Sequence, residues 1–305
     1  MRPSAPAALS SQPSSPVVAN RYIDLRASPL APGTSPVRIH YRDVGTGPPL
    51  MVLHGGWGYD IYPFDRQIAA LAASRRIVIP DRSGYGASGR LITQEIDFHR
   101  RAAEETFAVI AALALDRPIL WGHSDGAVIA LLMGLAAPAR VGGLILEATH
   151  LFRCKPASRT FFELMRDNPD GLGERVTGVL AREHGDAWRH LISANGDAWL
   201  RLAEQGGDLY DGRLSALQVP VLVIHGARDP RTEPGELDVL RQALAGASPR
   251  TVVAHDVSPA VRFEVLLEGG HSPHSAPATA DEVTRAAAQF VSALGSGLLG
   301  SLDRR

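Results

Sequence analysis

The stretch Trp121-Gly122-His123-Ser124-Asp125-Gly126 decides the fold of this chain. It is a glycine-rich turn between a short apolar run, residues 118–121, and a run of helix formers, residues 127–137. A strand that enters G-x-S-x-G and leaves directly into a helix is typical of a nucleophile elbow. Such a turn holds a serine in a strained backbone conformation with its hydroxyl exposed. The pattern predicts that Ser124 is a nucleophile.

Composition indicates a globular protein without a basic surface. The chain has 305 residues, and 45% of them are apolar, which is enough for a substantial core. The formal net charge is −1, so no basic excess favours nucleic acid or an anionic membrane as a partner. The single cysteine, Cys154, excludes an internal disulfide and fits a reducing compartment. We therefore expect a cytoplasmic protein with neither nucleic acid nor membrane as a partner.

The chain divides into segments of different pattern. Residues 1–19 are rich in Ser, Pro and Ala and predict a disordered leader. In residues 20–148 and again in residues 213–294, short apolar runs alternate with helical patterns, which predicts a mostly parallel sheet with helices on both faces. Residues 149–212 show helical runs without a convincing strand, and we expect them to form a helical cap. Residues 295–305 predict a flexible tail.

The cap is expected over the carboxyl ends of the strands, where open α/β sheets bind ligands. Three of its aromatic side chains are Phe161, Trp188 and Trp199. We expect them to form a small core inside the cap and not the walls of a pocket. Residues 248–259 predict an extra loop near the end of the chain.

A serine hydroxyl needs a histidine to take its proton, and the histidine needs a carboxylate to fix its tautomer. Both partners must follow strands that end at the same edge of the sheet as the turn. Asp229 and His271 each follow a strand-like apolar run, and the order Ser, Asp, His along the chain is that of triads built on this elbow. We predict a triad of Ser124, Asp229 and His271, with His274 as the rival base.

Five motifs in this order, HGGWG, DRSGYGAS, GHSDGA, HGARDP and GGHSPH, make the chain resemble the α/β-hydrolase family from Tyr41 through Phe290. Within that family it is most similar to capped carboxylesterase-type members such as valacyclovir hydrolase. The resemblance implies one α/β-hydrolase domain over residues 20–294. It also implies hydrolysis of a small carboxylic ester through an acyl-serine intermediate, with no cofactor and no metal. The expected partner is a small-molecule ester, and a homo-oligomer is left open.

The resemblance assigns roles to residues around Ser124 as well. It implies an oxyanion hole made by the backbone N–H groups of Gly56 and Asp125, each contributing roughly 3 kcal/mol. In the similar members, the aspartate after the serine is linked to recognition of a substrate amino group. Asp125 holds this position, so α-amino esters are among the expected substrates. Trp57 and His123 are further expected substrate contacts.

Other functions compatible with the motifs stay open. The same triad can hydrolyse C–C bonds or catalyse perhydrolysis, and the fold can also serve as a non-catalytic ligand receptor. Epoxide hydrolases and dehalogenases of the family have an aspartate where Ser124 stands, which disfavours those reactions here. Residues 84–89 match the dinucleotide-binding pattern G-x-G-x-x-G. No predicted helix starts directly after them, so they do not favour an oxidoreductase.

Overall fold

A sheet of eight strands runs through the centre of the molecule. The computed structural model describes residues 16–91, 93–245 and 261–302. In chain order the strands are β1 Ala19–Leu25, β2 Val37–Val44, β3 Pro49–Leu53, β4 Arg76–Pro80, β5 Ile119–His123, β6 Gly143–Glu147, β7 Val221–Gly226 and β8 Val261–Leu266. Across the sheet their order is β1-β2-β4-β3-β5-β6-β7-β8. Among these described strands, only the pairings of β2 with its two neighbours are antiparallel.

Helices cover both faces of this sheet. They are α1 Asp65–Leu71, α2 Phe98–Ala112, α3 Asp125–Ala136, α4 Arg159–Asp167, α5 Glu174–His184, α6 Trp188–Ala203, α7 Glu236–Ala245 and α8 Ala280–Leu302. Side chains of a strand alternate between two faces, so Met51 and Leu53 belong to one apolar core and Leu50 and Val52 to the other. Helices α2, α3 and α7 pack in the first core, and α1 and α8 pack in the second. The predicted mostly parallel sheet with helices on both faces is confirmed.

Three helices, α4 to α6, lie between β6 and β7, and we call them the helical insertion. Helices α4 and α6 pack side by side, with the rings of Phe162 and Trp199 stacked at 5.3 Å. The sequence pattern predicts a helical run at Asp197 to Glu204, but helix α6 begins earlier, at Trp188. The cause is packing, since buried Trp188 and Leu191 hold the first turn of the helix in place.

A buried ion pair ties the start of the insertion to α7. Lys155 Nζ lies 2.7 and 2.5 Å from the two carboxylate oxygens of Glu236, and both side chains are almost completely buried. Glu236 Oε1 also accepts the N–H groups of Leu151 and Phe152. The carboxylate therefore has enough partners to compensate for its removal from water.

The ends of the domain differ from the sequence expectation. Strand β1 begins at Ala19, and α8 continues to Leu302, where a flexible tail was expected from residue 295. Leu294, Leu298 and Leu302 recur at helical spacing, which favours the longer helix. The predicted leader up to residue 15 and the predicted loop at 248–259 lie outside the described residues. Among the helices of the described ranges, none has the length and apolar character required to span a membrane.

Candidate active site

Ser124 lies at the sharp turn between β5 and α3. Its backbone has φ 54° and ψ −121°, a conformation that is strained for a residue with a side chain. The Ser124 N–H donates to the Glu147 carbonyl at 2.9 Å, which fixes the turn to the end of β6. A Cβ on Gly126 would overlap the Leu53 carbonyl, so this position of the turn requires glycine.

Asp229 and His271 meet Ser124 at the carboxyl edge of the sheet. His271 Nε2 is 3.0 Å from Ser124 Oγ, and His271 Nδ1 is 2.9 and 3.0 Å from the two Asp229 carboxylate oxygens. Burial would raise the pKa of Asp229, but the His271 imidazole and the Arg231 N–H hold it well below its usual range. An ionised Asp229 accepts a hydrogen bond from Nδ1–H of His271, which keeps the proton on Nδ1 and leaves the lone pair of Nε2 free to accept the proton of the Ser124 hydroxyl.

The Asp125 carboxylate is buried next to Ser124. Its Oδ1 accepts hydrogen bonds from His99 Nε2 at 3.1 Å and Trp199 Nε1 at 3.2 Å, and its Oδ2 accepts one from Asn195 Nδ2 at 3.3 Å. Burial would raise the pKa of Asp125, but His99 and Asn195 lower it below its usual range. Each carboxylate oxygen has about two acceptor positions, so Oδ2 can accept a second hydrogen bond from a ligand.

The loop after β3 passes close to the Ser124 turn. A Cβ on Gly55 would lie 3.2 Å from the Ser124 Cβ, and a Cβ on Gly56 would lie 2.7 Å from Asp125 Oδ2. Arg82 holds this loop through a 2.9 Å hydrogen bond to the Gly55 carbonyl. Gly56 therefore lies beside the Asp125 side chain, and the role of the Gly56 and Asp125 N–H groups as oxyanion donors stays a prediction.

A cavity of about 190 Å³ adjoins Ser124 and His271. Trp57 and His123, the other predicted substrate contacts, both lie in its wall. One part of the wall comes from the helical insertion and the segment leading into it, namely His150, Phe161, Phe162, Met165, Asn195 and Trp199.

The expected position of the aromatic side chains of the insertion was therefore wrong for two of the three. Trp188 is buried away from the cavity, as expected, whereas Phe161 lines the cavity, and Trp199 lines it too although its side chain is buried. Helices α4 and α6 pack side by side, and the edge that they share borders the cavity instead of packing against a further helix.

A second histidine and carboxylate pair lies buried close to the triad. His274 Nδ1 is 2.6 Å from Glu147 Oε1, and His274 Nε2 is 2.9 Å from the Tyr62 carbonyl. Both ring nitrogens of His274 therefore lie within hydrogen-bond distance of oxygen atoms. His274, the predicted rival base, thus contacts Glu147 and Tyr62 and not Ser124. The histidine that contacts Ser124 is His271.

His123 completes this cluster. Its Nε2 lies 2.9 Å from the His271 carbonyl, and burial lowers the pKa of His123 to about 3, so the ring is neutral. His123, Glu147 and His274 converge closely enough to bind a metal ion. However, a metal would need a nitrogen lone pair of His274, and each ring nitrogen already lies against an oxygen atom, one of Glu147 and one of the Tyr62 main chain. The cluster fits a hydrogen-bonded support for the His271 loop.

Several residues of the site were not identified from sequence. Glu147 ends a buried apolar strand, and a charged residue in that position was a usable signal. Arg231 follows Asp229 by two residues and lies in the cavity wall. His150 also lies there, with its Nδ1 buried and without a partner among the described residues. Neither Arg231 nor His150 has a local sequence pattern that marks it.

The chain is similar in sequence to proteins of a known family. Residues 48–201, just over half of the chain, match the model of a family described as alpha/beta hydrolase fold. Haloalkane dehalogenase 2 of Mycobacterium tuberculosis is 32% identical over 134 residues, which are 43% of this chain and 46% of that protein. The chain thus spans less than half the length of this relative.

Other matches extend over most of the chain. Serine hydrolase BPHL of Mus musculus is 25% identical over 264 residues, 84% of this chain and 83% of that protein. Among solved structures, a thermophilic esterase from Thermogutta terrifontis is similar with a TM-score of 0.68 and 21% identity. The match covers 90% of this chain and 99% of that one. This last similarity demonstrates a shared fold.

Proposed function

We propose that this chain, which belongs to the alpha/beta hydrolase fold family, is a serine hydrolase that cleaves small carboxylic esters through an acyl-serine intermediate. The observation that carries the proposal is the continuous hydrogen-bonded series from Ser124 through His271 to Asp229. A buried carboxylate, an oriented imidazole and a hydroxyl in this order are the parts needed to activate a serine.

The proposed reaction has two halves. Ser124 Oγ attacks the ester carbonyl while His271 Nε2 takes its proton, and the Asp229 carboxylate stabilises the resulting imidazolium. His271 then gives this proton to the departing alcohol, which leaves an acyl-serine. In the second half His271 takes a proton from water while the hydroxide portion attacks the acyl carbonyl. His271 then returns this proton to Ser124 Oγ as the bond from Oγ to the acyl carbon breaks, which releases the acid and the free serine.

We propose that backbone N–H donors stabilise the oxyanion that forms in each half of the reaction. Asp125 is the first residue of α3, so its N–H has no acceptor within the helix. Gly56, the second proposed donor, lies beside the Asp125 side chain. Two N–H groups aimed at the developing oxyanion contribute roughly 3 kcal/mol each in well-studied hydrolases.

We extend the proposal to α-amino esters on the basis of the Asp125 side chain. This carboxylate lies in the cavity wall, is held ionised by His99 and Asn195, and has an acceptor position left on Oδ2. A substrate ammonium group would supply the missing donor and the opposite charge. The similarity to serine hydrolase BPHL supports the serine mechanism. We also propose that the helical insertion, which forms part of the cavity wall, acts as a cap. A cytoplasmic location is a further part of the proposal.

Hydrolysis assays test the proposal. We expect the wild-type protein to hydrolyse 4-nitrophenyl acetate and butyrate, and the corresponding valine and phenylalanine esters faster. Ser124→Ala should lower kcat by about 10⁴ or more, since the residual rate then comes from binding and the oxyanion donors alone. Ser74→Ala, at an exposed serine far from the site in sequence, is the matched control. Turnover that survives in Ser124→Ala would exclude the proposed mechanism.

A further inference from the structure

Arg231 brings to the cavity a positive charge that the proposed reaction does not use. It lies in the loop after β7, two residues beyond Asp229, and forms part of the same wall as Ser124 and His271. Its guanidinium lies over the ring of Phe161 on α4. Because arginine does not lose its proton in proteins, this charge is permanent.

Hydrogen bonds hold both the main-chain N–H and the main-chain carbonyl of Arg231 in place. Its N–H donates to Asp229 Oδ1 at 2.8 Å, and its carbonyl accepts a hydrogen bond from Lys155 Nζ at 3.1 Å. Lys155 is itself held by the buried ion pair with Glu236. The guanidinium is therefore presented from a rigid position that is joined directly to the triad.

Within the described part of the chain, no carboxylate forms an ion pair with this guanidinium. The nearest candidate, Asp229, already accepts hydrogen bonds from His271 and from the Arg231 main chain. Burial lowers the pKa of Arg231, while the charge of Asp229 partly opposes this effect. The ring of Phe161 offsets only part of the cost of holding a cation away from water. An anionic ligand group would offset the rest.

We propose that Arg231 binds a carboxylate of the substrate, so that the preferred esters are zwitterions with an ammonium at Asp125 and a carboxylate at Arg231. This inference rests on the proposed hydrolase function. The two charged residues have separate sets of partners. Asp125 contacts His99, Asn195 and Trp199, whereas Arg231 contacts Phe161. A planar guanidinium is suited to paired hydrogen bonds with a carboxylate.

Pairs of esters that differ only in one charge test this inference. The first pair is the valine esters of 4-hydroxybenzoate and 4-hydroxybenzamide, which place the carboxylate or its neutral amide on the alcohol side. The second pair is the 4-nitrophenyl esters of aspartic acid and asparagine, which place it on the acyl side. For at least one pair we expect the wild-type kcat/KM to favour the carboxylate by about tenfold or more, chiefly through KM.

Variants of Arg231 should change this preference in a graded way. In Arg231→Gln the ratio of the two kcat/KM values should fall to about one, whereas Arg231→Lys should keep part of it because the charge remains. Arg228→Gln is the matched control, since Arg228 is an exposed residue of the same loop that pairs with Glu268 outside the cavity. It should keep the wild-type ratio.

The outcomes separate the two proposals. Hydrolysis of the neutral members without preference for a carboxylate overturns the role of Arg231 and leaves the hydrolase function standing. A carboxylate preference that persists in Arg231→Gln also overturns the role of Arg231. If no member of either pair is hydrolysed while 4-nitrophenyl butyrate is, the role of Arg231 is overturned and the hydrolase function stands. If 4-nitrophenyl butyrate is not hydrolysed either, the hydrolase function fails, and the inference that rests on it fails too.

Discussion

At the scale of single residues, Asp125 combines two proposed roles. Its main-chain N–H begins α3 and is free to act on the oxyanion of any ester. Its side chain is a buried carboxylate held ionised by His99 and Asn195. That charge discriminates only between substrates with and without a positive group. A substitution that alters the side chain and keeps the backbone therefore separates the two roles.

Replacing Asp125 by asparagine tests this separation. The asparagine keeps one carbonyl oxygen for the donors of the pocket but removes the negative charge. We expect the preference for the valine ester over the butyrate ester, measured as a ratio of kcat/KM values, to fall about tenfold or more. Asp197→Asn, at an exposed aspartate on α6, is the control. An unchanged ratio in Asp125→Asn would refute the recognition of an amino group by this carboxylate.

At the scale of elements, Glu183 joins the helical insertion to the loop after β3. Its carboxylate accepts the N–H of Tyr59 at 2.6 Å and the N–H of Asp60 at 3.0 Å. Burial, with the charge of Asp60, raises the pKa of Glu183 from 4.5 to about 8. The folded state therefore holds this proton more tightly than the unfolded state does. The contribution of Glu183 to stability is full below about pH 4.5 and is lost as the pH rises through 8.

Glu183→Gln should flatten the dependence of stability on pH. Glutamine keeps an oxygen for the two N–H donors but does not titrate. Between pH 5 and pH 8, the free energy of unfolding of the wild type should decrease by up to about 3 kcal/mol more than that of the variant. Urea unfolding at several pH values measures this difference. Glu174→Gln, at an exposed first-turn residue of the same helix, is the control. Parallel curves for wild type and Glu183→Gln would contradict the raised pKa.

At the scale of the whole molecule, the parallel sheet explains why so much could be predicted from sequence. Loops that follow parallel strands emerge at one edge, so residues far apart in the chain meet there. Ser124 and His271 are 147 positions apart and within hydrogen-bond distance. The apolar runs mark the strands, and the motifs mark their ends. Strand positions, fold and the meeting of the three predicted residues followed from these local patterns.

The walls of the cavity could not be predicted in the same way. Whether Phe161 or Trp199 faces the cavity depends on how α4 and α6 dock, which is a contact between distant segments. The first turns of α6 likewise depend on buried contacts of Trp188 and not on local propensity. Arg231 is likewise not recognisable from its local sequence, because its contact with Phe161 forms only when the loop after β7 packs against α4. These parts of the cavity wall could therefore be identified only from the structure.

In the proposed reaction Ser124 becomes covalently modified. The most direct measurement is labelling of the wild type and of Ser124→Ala with a fluorophosphonate, followed by peptide mass spectrometry. We expect one adduct on the wild-type protein, located at Ser124, and none on the variant, because only a serine activated by His271 reacts at a useful rate. An adduct at another residue, or equal labelling of both proteins, would contradict the proposed reaction.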